Sequence, residues 1–435
     1  MTLSAHAALG VNDLVARAQA HGKAPAVVAA VVRNGTMAHF ASAGRDPATS
    51  VTPTPDTQFR IGSITKTMTA VMLMQLRDEG LLALDDLLYR HLPGTPVGSA
   101  INLRQLLGHV SGLQREPDGP WWERAEGTDL ETFLNALTPD KMAYPPHRAY
   151  HYSNLAYGLL GAVLNKVTGT DWTDLLSKRL LGPLGMRRTT HLEAEPFARG
   201  YVVHPWYGTL NEEPRPDTKA MAPAGQLWST AEDLAKWAAF LADPDPAVLK
   251  PETLTEMCAP VVISDLDAWT SGHGLGLELI RSGERIYIGH GGSMPGYLAH
   301  VLVHRPSRTA TLMFASAYTL HDERITDLNT ELLSMVLDLD PPAPPAWTPP
   351  TDRSPHELAG SWWWMGREVV VHTDGDELVF VPRIAATPWR FAQEGADVWR
   401  CHTGANDGEV LRVRRAPDGT PSELDIATFI HTRTP

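Results

Sequence analysis

Residues 24–32 form an apolar run that breaks at Arg33-Asn-Gly35 and is followed by Thr36-Met-Ala-His-Phe40. That pattern predicts a β-hairpin turning at Asn34-Gly35, a dipeptide that tolerates positive φ at both central turn positions. A short helix over residues 11–20 precedes it. Helical spacing returns at 63–79, closed by Gly80 as C-cap, at 103–108, and at 155–168, stopped by Gly169. It returns again at 231–242, where Thr230 and Asp233 are spaced as a capping box with Asp in place of Glu. Strand-like runs follow at 274–280, 286–289, 298–304 and 309–315, and then a last helix over 322–337. Strands at both ends with helices between them predict one mixed sheet, assembled from both ends of the segment and flanked by a helical subdomain.

The pattern changes at Pro341-Pro-Ala-Pro-Pro-Ala-Trp-Thr-Pro-Pro350, where six prolines in ten residues favour a semi-rigid polyproline II spacer. Beyond it, period-two runs at 368–372, 377–381, 389–392, 398–402, 409–414 and 423–430 are punctuated by Asp374-Gly375, Asp407-Gly408 and Asp418-Gly419. Short, regularly spaced strands of this kind predict an antiparallel meander closing into a small barrel. The expected organisation is an α/β domain over 1–340, a linker over 341–350 and an all-β barrel over 351–435.

The 435 residues carry a net charge of −13, which argues against a nucleic-acid groove or a polybasic membrane surface as the main business. Cys258 and Cys401 are far apart and are expected to be inert thiols. Neither CxxC nor HExxH occurs, so neither a metal nor another cofactor is expected. The N-terminus lacks a basic stretch followed by an apolar one, and no apolar run approaches the ~18 residues of a membrane span. A cytoplasmic protein is the expectation. Only eight lysines occur, so any catalytic lysine is one of eight.

Three short motifs carry chemistry. In Ser63-Ile-Thr-Lys66, positions i and i+3 share a helix face, so the Lys66 amine reaches the Ser63 hydroxyl. Lysine acts as a base only when burial or a cationic neighbour lowers its pKa from about 10.4 toward neutrality. The helix N-terminus adds partial positive charge where an oxyanion forms. Tyr152-Ser-Asn154 stands just before a helix, with a phenol that, beside an ammonium, is expected to titrate low enough to relay protons. Its amide is expected to donate to a substrate carbonyl. His290-Gly-Gly292 has glycines that let a substrate backbone approach a strand edge closely. A second HxG, His402-Thr-Gly404, lies beyond the linker and is rejected as the partner motif. Read singly, these motifs are also compatible with a capping serine, a core tyrosine and a capping asparagine.

In this order the three motifs resemble those of the serine β-lactamase and penicillin-binding-protein superfamily, in its class C-like branch with DD-peptidases and related esterases. Residues 58–66, the Leu-Leu-Gly-His-Val-Ser-Gly-Leu run at 106–113, and residues 152–160, 222–230 and 289–297 are similar to it as well. The resemblance implies a β-lactamase/DD-peptidase-like fold with Ser63 as nucleophile and Lys66 and Tyr152 as the acid/base pair. It further implies Asn154 as a substrate-amide contact and His290 on the third-motif strand beside Gly292 and Ser293. The N–H groups of Ser63 and Ser293 would form the oxyanion hole. One departure stands out: class C β-lactamases carry Lys-Thr-Gly where this chain has His-Gly-Gly, which puts β-lactam carboxylate binding in doubt. No motif supplies the deacylating glutamate of class A enzymes.

The overall plan, with a lipocalin-like barrel and Arg433 near the end, is similar to penicillin-binding-protein-type thioesterases. That implies a trans-acting enzyme that takes a peptidyl thioester from a carrier protein of a nonribosomal peptide synthetase. It would release the peptide as a head-to-tail macrolactam and prefer a D-residue at the acylating end. Arg433 is then expected to bind substrate. Trp121-Trp122 and Trp362 to Trp364 read first as core aromatics, with a cleft rim for the former and the start of a barrel facing it for the latter as the alternative. An esterase or D-amino-acid peptidase using the same residues stays open as the alternative, as does a solvated tail arginine.

Overall fold

The computed structural model describes residues 2–98, 100–343, 356–384 and 387–435. It divides into two compact units, Met1–Pro342 and Ala343–Pro435. The stretch expected to be a polyproline spacer lies outside the described residues from 344 to 350.

The first unit is built on an eight-stranded sheet. Its order is Thr36–Gly44, Ala26–Arg33, Thr309–Ala315, Tyr297–His304, Arg285–Met294, Glu278–Ser282, Ser271–His273, Val262–Ile263. The hairpin turns at Asn34-Gly35 as expected, and Ala26–Arg33 then joins the far end of the chain, with Val28 opposite Phe314. The sheet is not mixed: every one of its ladders is antiparallel. Successive strands from 262 to 315 are joined by short connections, which force antiparallel pairing.

Both faces of the sheet are covered, which explains the unbroken apolar run at 24–32. Val27, Ala29 and Val31 pack on one face against Val11, Leu14, Leu328, Leu332 and Val336 of the two terminal helices. Val28, Ala30 and Val32 face the main core with Leu234, Trp237 and Leu241. The first helix spans Ala5–Gly22 and not just 11–20, because Ser4 caps it through Ala7 N–H and its apolar stripe begins at Ala7.

The helix Thr65–Asp78 runs through the middle of the unit and is buried along almost its whole length. Its buried threonines are therefore given partners. Thr67 Oγ1 accepts from Trp237 Nε1 at 3.0 Å, and Thr69 Oγ1 accepts from Trp172 Nε1 at 3.2 Å while donating to Pro223 O at 2.9 Å.

Two sheet expectations change. Of the run 274–280 only residues 278–280 are strand, within Glu278–Ser282; residues 274–277 leave the ladder, and Leu275 and Leu277 turn into the core. The strand expected at 286–289 extends over Arg285–Met294, so the glycine-rich motif is itself a strand, paired from Ile288 to Met294 with Val303 to Tyr297.

The second unit is a closed eight-stranded antiparallel barrel. Its core gathers Trp362, Phe380, Phe391, Trp399, Leu411 and Leu424. The barrel begins with Gly360–Trp364, and the run expected as one strand at 423–430 is a hairpin of Pro421–Ile426 and Phe429–Thr432. Its turn residues Ala427 and Thr428 both have positive φ without being glycine, so no turn signal marked it. Cys258 and Cys401 are free thiols in different units. Among the described residues no helix is long and apolar enough to cross a membrane.

Replacing Thr69 by valine keeps the shape but strands the Trp172 N–H and the Pro223 carbonyl in the core. Thr69→Val is expected to destabilise the first unit by about 1–3 kcal/mol. The measurement is a urea transition followed by tryptophan fluorescence, and an unchanged midpoint would contradict this account.

Candidate active site

Ser63 sits in a single 3₁₀ turn, Gly62–Ile64, that feeds the central helix. It is partly exposed while Gly62 and Ile64 on either side are buried, so Ser63 is the one residue of the turn that reaches solvent. One turn later Lys66 is fully buried, its Nζ 2.8 Å from Ser63 Oγ and 2.6 Å from Ala224 O. The amine lies over the Tyr152 and Tyr157 rings, at 5.0 and 5.5 Å. Burial penalises the ammonium and brings Lys66 down to about 7, against the opposing fields of Glu123 and Glu116. A neutral amine held by Ala224 O turns its lone pair to the Ser63 proton. This is the condition for a lysine base.

Tyr152 and Asn154 flank Ser153, which caps the helix Asn154–Thr168 by accepting from Ala156 N–H at 3.0 Å. The cap is thus Ser153 and not Asn154. Ser153 is extended (φ −134°, ψ 115°), which turns its two neighbours to the same side. Tyr152 faces the Ser63 hydroxyl, but its phenol is held well above its ordinary range. Burial is the main cause, and the Ser63 hydrogen bond only opposes it. The expected low-titrating phenol is therefore not found, because burial outweighs the hydrogen bond to Ser63. Tyr152 is poised to donate a proton. Asn154 Nδ2 is already bonded to both Glu116 oxygens at 2.9 Å, while its buried Oδ1 has no partner among the described residues. Asn154 thus offers an acceptor where the sequence led us to expect a donor.

The third-motif strand crosses directly behind the serine. Gly62 has φ +51°, and a Cβ there would lie 2.6 Å from Ser293 N. A Cβ on Gly292 would lie 1.9 Å from Ile61 O and 3.0 Å from Ser63 N. Only two glycines allow this approach, which brings the N–H groups of Ser63 and Ser293 together as an oxyanion hole requires. Pairing with the Glu278–Ser282 strand stops at Gly289, and Glu278 then takes the Gly291 N–H at 3.1 Å. His290 is buried, its Nδ1 donates to Gly291 O at 2.5 Å, and burial lowers it to about 4 despite Glu278. It is neutral at physiological pH and does not replace a fixed third-motif cation.

Several residues join the site without any sequence signal. Glu116 bridges Asn154, Trp122 Nε1 (2.7 Å) and Arg115 (3.0 Å), and the Arg115 guanidinium lies 5.6 Å over Tyr152. Glu123, pushed up to about 7 by burial and then by Glu116, lies in the field of Lys66. Of the expected rim tryptophans, Trp122 is buried and Trp121 is exposed against Tyr318. One ring nitrogen each of His109, His273 and His290 lie within 4.8 Å of one another, the one group of metal-ligating character among the described residues. His109 Nδ1 accepts from Ser153 N–H, so Nε2 carries the proton, and the ring faces its neighbours as a donor instead of a ligand. In the barrel, the Arg433 guanidinium donates to Glu357 O, Ala359 O and Ser361 O at 2.9–3.3 Å and stacks 3.9 Å over Trp362.

Ser63→Ala should abolish acyl-enzyme formation, and wild-type acylation should rise with pH through about 7 as Lys66 loses its proton. Glu123→Gln removes a field that favours the ammonium, so the limb should move to lower pH; a pH-rate profile that is flat or falling would refute Lys66 as base. Gly292→Ala should cost about 10²–10³-fold in kcat by forcing Ser63 and Ser293 apart. Gly291→Ala, whose Cβ would meet nothing nearer than His300 Cδ2 at 3.4 Å, should retain most activity. Equal losses in the two variants would count against the oxyanion-hole assignment.

The chain is similar to known proteins along most of its length. The beta-lactamase family model matches residues 11–333, and a family described only as a domain of unknown function (DUF7586) matches residues 351–433. Penicillin-binding protein 4 of Amycolatopsis lactamdurans is 29% identical over 78% of this chain and 93% of its own length. Beta-lactamase-like protein 2 of Dictyostelium discoideum is 30% identical over 60% of this chain, which spans about half of that protein (49%). Among solved structures, the octameric penicillin-binding protein homologue from Pyrococcus abyssi superimposes with a TM-score of 0.68 at 21% identity, covering 97% of this chain and 98% of its own. SurE does so at 0.63 and 24%, covering 98% and 99%. The D-stereospecific amidohydrolase from Streptomyces sp. gives 0.63 at 25%, covering 75% and 98%. With its Ser-Lys pair, tyrosine and glycine-rich strand in one cleft, the chain belongs to the beta-lactamase family, within the wider superfamily of serine β-lactamases and penicillin-binding proteins.

Proposed function

We propose that this protein is a trans-acting thioesterase and peptide cyclase. Ser63 attacks a peptidyl thioester presented by a carrier protein of a nonribosomal peptide synthetase, and the carrier thiol leaves with the proton relayed through Lys66 and Tyr152. The peptide's own N-terminal amine then attacks the Ser63 ester, its proton returns through the same pair to the serine oxygen, and the macrolactam is released. The observation that carries the reading is the buried, near-neutral Lys66 amine 2.8 Å from Ser63 Oγ. A folded-back peptide gives its amine a large effective molarity over water. The neutral third motif, with His290 in place of a cation, suits an uncharged acyl chain better than a carboxylate.

Fold-level likeness to SurE over both units supports the two-part plan, and the D-stereospecific amidohydrolase supports a D-residue at the acylating end. The same amidohydrolase likeness favours the second reading, in which water resolves the acyl-enzyme and the protein is a hydrolase of D-configured substrates. The cyclase reading places the protein in the cytoplasm, with its synthetase. It gives Arg433 a part in holding the peptide, beyond the barrel contacts described above.

A pair of synthetic peptidyl thioesters differing only in the configuration of the C-terminal residue tests this, with products identified by mass. Cyclic product, lighter than the acid by one water, from the D-epimer alone is expected. Acid alone would establish the hydrolase, and equal rates for both epimers would remove the D-selective reading. Arg433→Ala should lower cyclic turnover with the barrel still folded; unchanged turnover would confine Arg433 to the barrel.

A further inference from the structure

The Leu-Leu-Gly-His-Val-Ser-Gly-Leu run brings His109 into the site without a role in the chemistry described so far. Its ring is fully buried, and its backbone has φ +57°, a left-handed conformation that a residue with a Cβ adopts at a cost. Strain of this kind persists only where the surroundings over-determine it. Here the surroundings are Tyr152 and its two neighbours. The His109 carbonyl accepts from His151 N–H at 2.9 Å, and its Nδ1 accepts from Ser153 N–H at 3.1 Å. Between those anchors the imidazole stacks on the Tyr152 ring, with centroids 4.3 Å apart and planes 29° from parallel.

The tautomer follows from the same bonds. With Nδ1 spent as an acceptor, a neutral imidazole carries its proton on Nε2. Among the described residues that buried Nε2 has no partner, nor has Nδ1 of His273, whose Nε2 pairs with the Tyr150 hydroxyl at 3.0 Å. Turning the three histidines into a zinc site would require a lone pair on His109 Nε2, hence a proton on Nδ1 pointing at the Ser153 N–H.

We propose that His109 is a positioning residue for acyl transfer: it clamps the backbone on both sides of Tyr152 and supports its ring, and it does so as the Nε2-protonated tautomer. The inference rests on the Ser63-centred acyl transfer described above, and not on whether an amine or water resolves the acyl-enzyme. A phenol held 1 Å out of place loses about 10²-fold in rate, so the clamp should register in kcat more than in KM.

The test uses a p-nitrophenyl ester and the full-length protein, with release of p-nitrophenolate as the readout. His109→Ala should lower kcat by about 10²-fold with little change in KM. His109→Asn places an acceptor oxygen where Nδ1 stood and tolerates positive φ, so it should regain about tenfold of that loss. His109→Gln supplies neither and should not. Equal impairment of the alanine and asparagine variants, or a wild-type rate in the alanine variant, would overturn the clamp. On the unmutated protein, imidazole ¹⁵N spectra should show His109 protonated at Nε2. A proton at Nδ1, or stoichiometric Zn²⁺ binding that His109→Ala abolishes, would overturn the tautomer. Undiminished turnover by Ser63→Ala would instead refute the acyl-transfer reading itself.

Discussion

An amine at the centre of a protein domain loses the solvation that keeps it charged, and this site depends on that loss. Lys66 lies on a helix buried on all sides, so its ammonium is taken from 10.5 to about 7. That is roughly 5 kcal/mol of preference moved toward the neutral form. Glu123 and Glu116 limit the effect from a distance without pairing with it. A direct carboxylate partner would have held the proton on the lysine and left Ser63 without a base. The buried polar groups around the helix, Thr67 with Trp237 and Thr69 with Trp172, are satisfied by one another and leave Lys66 free for Ser63 and Ala224.

Close contact between two backbones supplies the other half of the site. Ser63 comes from the first fifth of the chain and Ser293 from a strand more than two hundred residues later, yet Gly62 and Gly292 let them meet within the space of a methyl group. The sheet makes this possible: one of its ladders joins Ala26–Arg33 to Thr309–Ala315, which ties the two ends of the unit together. Tyr152 and His290 are neutral, Lys66 titrates near 7, and the developing oxyanion is left to backbone dipoles.

Much of the architecture was legible from periodicity. The Asn34-Gly35 hairpin, the strand at 309–315, the helix closed by Gly169 and the closed barrel all stand where local pattern puts them. The misses have different causes. Leu275 and Leu277 look like strand residues but are drawn into the core, the strand read at 286–289 runs on through Gly292 to Met294 by pairing with its neighbour, and Ala427-Thr428 turns at positive φ without a glycine.

The sequence by itself determined the pairing of Ser63 with Lys66, since a helix brings i and i+3 together whatever surrounds it. It also determined that Tyr152 and Asn154 share a side, since an extended residue between them does the same. Tertiary structure alone decided their protonation states and partners. Burial lowered Lys66 to about 7 and kept Tyr152 protonated, Glu116 took the Asn154 amide from 38 positions away, and His109 reached Ser153 across 44. Motif spacing encodes geometry along one element, whereas desolvation and long-range hydrogen bonds exist only once separate elements have packed.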